Sequence, residues 1–157
     1  GVLILAKKKS ILVEFNHLFS SRKVQKTYLA IVKNKPVKNK GNLVNFLVKN
    51  NKEKRAEIVQ SKTKDVLNCM LSYKVIDKND FGYLLEVKPK TGRFHQIRAQ
   101  LANIGLPIIG DEKYGSDQEY VPRSICLHAW KLSYKISGSN ESLTFEAPLP
   151  TNDFWVF

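Results

Sequence analysis

The sequence changes from a strand pattern to a helix pattern within residues 90–98, Lys90-Thr91-Gly92-Arg93-Phe94-His95-Gln96-Ile97-Arg98. The apolar residues that follow the glycine recur at helical spacing, namely Phe94, Ile97, Leu101 and Ile104. Gly105 then predicts the end of this helix. The strand pattern at residues 83–88 leads directly into this helix, so sheet and helix meet at the turn around Gly92.

Outward from this turn, apolar patterning predicts most of the other elements. Strands are predicted at residues 2–6, 26–32, 68–76, 83–88, 127–136 and 143–146, with hairpin turns at 77–82 and 138–140. The apolar run at residues 2–6 is typical of a strand buried on both faces, and Ser10 is the predicted cap of a helix that ends near residue 22. Residues 42–48 are ambiguous, 50–55 read as a polar turn, and 34–40 and 107–115 read as loops. The pattern predicts an α+β fold, a mixed, mostly antiparallel sheet with flanking helices, in a single domain of residues 1–157.

Charge indicates the kind of partner. The 157 residues include 26 Lys or Arg and 14 Asp or Glu, which gives a net charge of +12. Such an excess attracts polyanions, so nucleic acid is the expected partner and an anionic membrane the second choice. The alternative is that the lysines serve only to keep the protein soluble. No apolar run approaches the roughly 20 residues that span a bilayer, so we expect a soluble, cytoplasmic protein.

The cysteine and histidine positions do not predict a metal site. Cys69 and Cys126 do not form a disulfide framework in a chain of this length, and we expect both to be reduced. No pair of cysteines or histidines has the repeated spacing of a zinc site, and no phosphate-cradling glycine loop is present. The spacing therefore predicts no metal site.

The start of the helix after Gly92 carries several polar and basic side chains, Arg93, His95, Gln96 and Arg98. Free backbone N–H groups and the positive end of the helix dipole favour an anion there, either a phosphate or a carboxylate. Arg98 projects from the border of the apolar face, so it is expected to be partly buried and to need an acidic partner. Spacing alone leaves open whether that partner is functional or a structural acid within the domain.

The block Gly92-Arg93-Phe94-His95-Gln96-Ile97-Arg98 closely resembles the Gly-Arg-x-His-Gln-Ile/Leu-Arg motif of the RluA-type pseudouridine synthases, which isomerise uridine in ribosomal or transfer RNA. Further blocks in the family's order cover residues 26–30, 105–111 with 114–115, 127–129 and 145–150. The resemblance therefore extends over nearly the whole chain and implies the C-terminal portion of a pseudouridine synthase catalytic domain.

One departure concerns the nucleophile. The family's nucleophilic aspartate lies in a His-Arg-Leu-Asp segment shortly before a Ser-Gly pair whose glycine maps onto Gly1. The resemblance therefore implies an aspartate upstream of Gly1, a chain taken from something longer, and no activity for residues 1–157 alone. We accordingly expect Arg98 to have either no carboxylate partner or a bound anion, and residues 2–6 to be less covered than a central strand, unless exchange into a dimer hides them.

The resemblance also implies roles for individual residues. Arg98 corresponds to the arginine that pairs with the catalytic aspartate, Tyr28 to the tyrosine that stacks on the target base and assists proton abstraction, and Leu127 to the leucine that packs against that base. Without the motif, a place in the core is the favoured explanation of both Tyr28 and Leu127. The three should converge on one pocket near the start of the chain.

The RNA-facing residues implied by the resemblance are Lys90, Arg93, His95 and Gln96, for which helix capping and solvation are the alternative.

The resemblance implies conversion of uridine to pseudouridine in structured RNA, with no cofactor or metal. The target base must leave its stack to be reached. The rival is a basic RNA-binding module without catalysis, which a missing His-Arg-Leu-Asp-like segment would support. A basic ribosome-associated structural protein explains the charge but not the Gly92–Arg98 block.

Overall fold

A computed structural model describes residues 1–61, 65–136, 139 and 141–157. Its seven strands are β1 (Gln25–Val32), β2 (Lys40–Asn50), β3 (Arg55–Val59), β4 (Leu67–Lys78), β5 (Tyr83–Pro89), β6 (Leu127–Lys135) and β7 (Ser142–Glu146). Its two α-helices are α1 (Lys9–Ser20) and α2 (Gln96–Asn103), and short 3₁₀ turns cover Glu112–Tyr114 and Asp153–Trp155.

The strands form one sheet in the order β3-β2-β4-β5-β1-β6-β7. The predicted α+β class and mostly antiparallel sheet are confirmed. Each pairing between these strands is antiparallel, so the parallel component of the predicted mixed sheet is not found in the described part of the chain. Strand β1 lies between β5 and β6, and its last four residues are buried, which places its first residues at the edge of the core.

The core lies where β1 and β5 pack against α2 and the segment after it. Its fully buried side chains include Leu29, Ile31, Leu85, Leu101 and Ile108. Predicted helix residues Ile97 and Leu101 point into this core, whereas Phe94 and Ile104, at 42% and 38% exposure, do not. Burial of the two inner positions fixes α2 against the sheet and so fixes the residues at its start.

The predicted hairpin at residues 77–82 is confirmed as the β4–β5 connection. Asn79 N–H donates to the Gly82 carbonyl at 2.9 Å, and the Asn79 side-chain oxygen accepts the backbone N–H groups of Phe81 and Gly82. The predicted turn at 138–140 lies outside the described residues except for Ser139.

Two predictions at the N-terminal end are wrong. Residues 2–6 are not a strand buried on both faces, because they form no ladder: Val2 N–H donates to the Ala129 carbonyl at 2.7 Å, while Leu3 and Leu5 are each 80% exposed. They are less covered than a central strand, as expected. Ser10 is not the cap of α1, because the helix begins one residue earlier and the carbonyl of Lys8 already accepts the Leu12 N–H.

Candidate functional site

Neighbouring strands and one helix start bring the three predicted site residues together. Tyr28 on β1 lies opposite Ala129 on β6, and Leu127, two residues before Ala129 on β6, lies opposite Ala30. Arg98 stands in the first turn of α2. Tyr28, Arg98 and Leu127 all line one cavity of about 220 Å³, as predicted, although none of residues 1–25 contributes to its lining. The same cavity is also lined by Lys26, Pro89, Thr91, Gly92, Arg93, His95, Gln96 and Ile97.

Gln96 holds the turn before α2 against the sheet. Its side-chain oxygen accepts the Thr91 hydroxyl at 2.7 Å and the Arg93 N–H at 3.0 Å, and its amide nitrogen donates to the Met70 carbonyl at 3.0 Å. The side chain is buried, with Gln96 only 4% exposed. The expectation that Gln96 faces RNA is therefore wrong, because its polar atoms are used within the protein.

His95 immediately precedes α2 and has a left-handed conformation, with φ at 49°. Its Nε2 lies 2.9 Å from an Nη of Arg98, and its Nδ1 lies 3.2 Å from the Tyr114 hydroxyl. The same Nη lies 3.4 Å from Nδ1, and because arginine can only donate, the shorter contact favours Nε2 as the acceptor and the ring proton on Nδ1. Burial and then the positive charge of Arg98 hold the pKa of His95 below its ordinary value, which favours this neutral ring.

Arg98 has a carboxylate partner, contrary to expectation. Its Nε donates to Oδ2 of Asp111 at 2.7 Å and its Nη2 to Oδ1 at 2.6 Å. Asp111 is 1% exposed, and the Arg98 side chain is 19% exposed. The spacing had left open whether the partner of Arg98 is a structural acid within the domain, and Asp111 is such an acid. Its hydrogen bond raises the pKa of Arg98.

The pairing uses only one edge of the guanidinium. An arginine side chain has five N–H donors, of which Asp111 takes two and His95 a third. The remaining donors have no partner in the described part of the chain, and Arg98 lines the cavity. The Tyr114 ring also packs against this guanidinium, 4.8 Å from its central carbon. Arg98 can therefore bind a second anion without leaving Asp111.

Tyr28 and Leu127 supply the apolar part of the cavity. Both are half-buried, and both pack against the main core. Burial raises the pKa of Tyr28, so its phenol is protonated at neutral pH. The described lining residues include no aspartate or glutamate.

The predicted RNA-facing residues Lys90 and Arg93 stand on the outer side of the same turn. Lys90 is exposed, and Arg93 is half-buried with its Nε 3.4 Å from the Asn68 carbonyl. Beside them Phe94 stacks on His95 with ring centroids 3.9 Å apart, and Lys49 lies 5.1 Å from the Phe94 ring. An exposed aromatic ring between cations is a surface on which nucleic acid bases can stack.

Sequence reasoning assigned no role to Asp111, Tyr114 and Lys26. All three lie in segments that carried the family resemblance, Asp111 and Tyr114 after the helix and Lys26 two residues before Tyr28. The segments could thus have identified them, although their contacts with Arg98 and the cavity come only from the structure.

The structure was also searched for membrane-spanning helices and for metal-ligating side chains. The described helices include none that is long and apolar enough to cross a membrane. Residues 1–61, 65–136, 139 and 141–157 contain no group of three or more metal-ligating His, Cys, Asp or Glu side chains. Cys69 and Cys126 are free and buried, and burial raises the pKa of Cys126 to about 12.

Comparisons with known proteins give consistent results. A family model described as RNA pseudouridylate synthase matches residues 1–103. An uncharacterized RNA pseudouridine synthase of Haemophilus influenzae is 32% identical over 157 residues, covering 99% of this chain and 66% of the relative. Ribosomal large subunit pseudouridine synthase C of Rickettsia conorii is 36% identical over 155 residues, covering 96% of this chain and 50% of the relative. The chain thus spans about half to two thirds of the length of these relatives.

Two solved human structures are also similar. RNA Pseudouridylate Synthase Domain Containing 1 superposes with a TM-score of 0.77 at 25% identity, over 92% of this chain and 62% of that one. RNA Pseudouridylate Synthase Domain Containing 4 superposes with a TM-score of 0.78 at 24% identity, over 96% and 67%, which supports the fold alone.

Proposed function

The chain belongs to the RNA pseudouridylate synthase family, and from this premise we propose that the protein encoded by the complete reading frame isomerises uridine to pseudouridine in RNA. We place residues 1–157 in the catalytic domain of that protein. The observation that carries the proposal is the meeting of Tyr28, Arg98 and Leu127 in one cavity at the start of α2.

The reaction moves one bond and requires no external reactant. A carboxylate attacks the nucleotide, the glycosidic bond breaks, the uracil turns, and C5 bonds to the ribose. The proton lost from C5 is balanced by one gained at the nitrogen released from the ribose, so no metal or redox cofactor is needed. The described cavity lining has no carboxylate, and the resemblance assigns the nucleophile to a segment before Gly1.

Arg98 is the proposed partner of that nucleophile. Its guanidinium is held by Asp111 on one edge, which leaves donors for a second carboxylate in the cavity. A nearby guanidinium keeps a carboxylate ionised and therefore nucleophilic. The contact to Asp111 makes this position rigid before substrate binds.

Tyr28 and Leu127 are the proposed contacts of the target base. The phenol ring offers a flat surface for stacking, and Leu127, on the strand that pairs with β1 and two residues before Ala129, offers an apolar one. Burial raises the pKa of Tyr28. Abstraction of the C5 proton by its phenolate would therefore require an interaction in the bound complex that lowers this pKa again. A base must leave its stack to enter a cavity of this kind.

The proposed substrate is structured ribosomal or transfer RNA. Relatives carry both kinds of name: the Rickettsia conorii protein is a large-subunit ribosomal enzyme, and a Vibrio parahaemolyticus relative, 29% identical over 173 residues, is a tRNA pseudouridine synthase C. The net charge of +12, with Lys90, Arg93 and His95 around the cavity, supports phosphate contacts that position the RNA. We place the protein in the cytoplasm, where ribosomal and transfer RNAs function.

A non-catalytic RNA-binding module is the second candidate, and one observation favours it: none of the described cavity-lining residues is a carboxylate. It predicts RNA binding without any change in the RNA's nucleosides.

Mapping of pseudouridines separates the two candidates. Ribosomal and transfer RNA from cells lacking the gene should miss one or more pseudouridines that wild-type cells contain. The complete gene should restore them, whereas Arg98→Ala and Tyr28→Leu versions, expressed to equal levels, should not. An identical pseudouridine map with and without the gene would leave only the binding module.

A further inference from the structure

The C-terminal segment, residues 152–156, is held against the core and the β4–β5 hairpin. Trp155 is 4% exposed and belongs to the main core cluster. The Phe154 ring stacks on the Phe81 ring with centroids 4.1 Å apart, and the Asn79 side-chain amide donates to the Phe154 carbonyl at 3.0 Å. The segment is therefore a fixed part of the fold, although it lies outside the described strands and α-helices.

Tyr120 is the residue at which this segment meets the loop of residues 116–125. Its hydroxyl oxygen accepts hydrogen bonds from the Asn152 side-chain amide at 2.8 Å and from the Trp155 indole N–H at 3.0 Å. The Phe154 ring packs edge-on against the Tyr120 ring, with centroids 5.0 Å apart. Hydrogen-bonded networks of this kind are rigid, so the C-terminal segment fixes the position of the loop as well.

Tyr120 lies directly on the backbone turn that precedes Asp111. Gly110 in this turn has a φ of 83°, and its N–H donates to the Gln118 carbonyl at 3.0 Å. A Cβ built on Gly110 would lie 2.7 Å from the Tyr120 Cβ and 2.8 Å from the Ser124 carbonyl oxygen. Carbon atoms in contact stand about 3.5–4.0 Å apart, so no side chain fits between the loop and the turn. A displacement of Tyr120 must therefore displace Gly110.

Asp111 depends on this turn for its position. Its backbone hydrogen bonds are local, because its N–H donates to the Ile108 carbonyl at 2.9 Å and its carbonyl accepts the N–H groups of Tyr114 and Ser116. Its carboxylate takes two donors of Arg98 at 2.6 and 2.7 Å. A two-pronged pair tolerates little displacement, since both hydrogen bonds must stay short and aligned. A shift of the turn is thus transmitted to the guanidinium.

Open space lies beside this ion pair. Arg98, Asp111 and Tyr120 all line a cavity of about 690 Å³, together with residues 121–125. Packed side chains therefore do not enclose the pair on this side. The attachment of the loop to the C-terminal segment decides how far the pair can move.

We propose that Tyr120 is a positioning residue for Arg98. The C-terminal segment holds Tyr120, and Tyr120 holds the turn at Gly110. That turn sets the place from which Asp111 binds the guanidinium. The inference rests on the proposed function for the role of Arg98 in the reaction. Tyr120 is not among the described residues that line the Tyr28 cavity, so it should affect the chemical step and not RNA binding.

Tyr120→Phe tests the proposal, because it removes the shared acceptor oxygen and leaves the ring. The matched control is Tyr73→Phe, since Tyr73 is 7% exposed and its hydroxyl donates to the Lys38 carbonyl at 3.2 Å. Tyr73 stands on β4 and is absent from the described lining of both cavities that Arg98 lines. Both variants lose a hydrogen-bonded tyrosine hydroxyl, and only Tyr120→Phe acts on the turn before Asp111.

The first measurement is tritium release from RNA labelled at C5 of uridine by the protein encoded by the complete reading frame. A misplacement of about 1 Å can cost roughly a hundredfold in rate, so the smaller shift expected for Tyr120→Phe should lower kcat about tenfold. KM should stay near the wild-type value, and Tyr73→Phe should keep both constants. Asn152→Ala, which removes one of the two donors to Tyr120, should lower kcat by a smaller factor.

Two kinetic results would overturn the proposal. One is an equal kcat for Tyr120→Phe and Tyr73→Phe, per folded protein. The other is a raised KM with unchanged kcat for Tyr120→Phe. A wild-type kcat for Asn152→Ala would overturn the part assigned to the C-terminal segment.

A second readout needs no catalysis. The Nε–H signal of Arg98 in the ¹⁵N NMR spectrum, identified by its loss in an Arg98→Lys protein, reports the hydrogen bond to Asp111. Tyr120→Phe should move this signal, and Tyr73→Phe should leave it in place. The two proposals can therefore fail separately. A moved signal in a protein that forms no pseudouridine removes the isomerase, and an unmoved signal in an active protein removes the role of Tyr120.

Discussion

Replacement of Asp111 by asparagine should destabilise the protein strongly, although it changes little volume. Asp111 is 1% exposed and takes two donors of Arg98 at 2.6 and 2.7 Å. Breaking a buried pair costs about 3–5 kcal/mol, because the remaining charge has no counter-charge. The Arg98 side chain is 19% exposed and can partly hydrate, so we expect the lower end, about 3 kcal/mol.

Thermal and urea denaturation measure this effect. For a domain of this size, a loss of about 3 kcal/mol lowers the melting temperature by roughly 6–12 °C. The matched control is Asp117→Asn, which breaks the exposed ion pair with Lys33, and its melting temperature should stay within error of wild type. Adding Arg98→Met to Asp111→Asn should recover part of the loss, since the unpaired charge is then gone. Equal melting temperatures for Asp111→Asn and Asp117→Asn would refute the assignment of Arg98 and Asp111 as a stabilising pair.

Three other outcomes are expected. Burial holds the pKa values of His95 and His128 below the ordinary 6.5, so the unfolded chain gains protons first as pH falls, and the urea midpoint should drop between about pH 7 and 5. A double His→Gln variant should flatten that dependence, and a midpoint that rises on acidification would contradict it. Cys69 and Cys126 should resist alkylation by iodoacetamide in the native protein and react in denaturant, because both are buried; fast native labelling would show otherwise. Residues 1–157 alone should form no pseudouridine in RNA, since the described cavity lining lacks a carboxylate, and any conversion above a no-protein control would disprove this.

Local patterning was sufficient for elements whose pairing is short-range. The β4–β5 hairpin and α2 follow from alternation, turn residues and helical spacing within single stretches of sequence. Strand β3 was missed because its five residues carry a mixed polar pattern and pair with β2 across a polar turn. Residues 2–6 have the composition of a strand, but a strand also needs a series of backbone hydrogen bonds to a neighbouring strand. In this segment only Val2 makes such a hydrogen bond to β6.

The site was predictable to the extent that a motif marks it. Tyr28, Arg98 and Leu127 were identified by resemblance, and the sheet order explains why they meet. Asp111 as the partner of Arg98 could not be inferred from spacing, because the chain leaves α2 and returns through a left-handed turn at Gly110 before the carboxylate reaches the guanidinium. Gln96 was misplaced because a polar residue in the first turn of a helix is normally exposed.

Release of hydrogen from C5 of uridine tests the central claim most directly, because isomerisation must break that bond. The protein encoded by the complete reading frame should release tritium from ribosomal or transfer RNA labelled at C5 of uridine. Arg98→Ala and Tyr28→Leu proteins that remain folded and bind the RNA should release none above background. Binding of the labelled RNA without tritium release by the wild-type protein, or equal release by the Tyr28→Leu protein, would contradict the account.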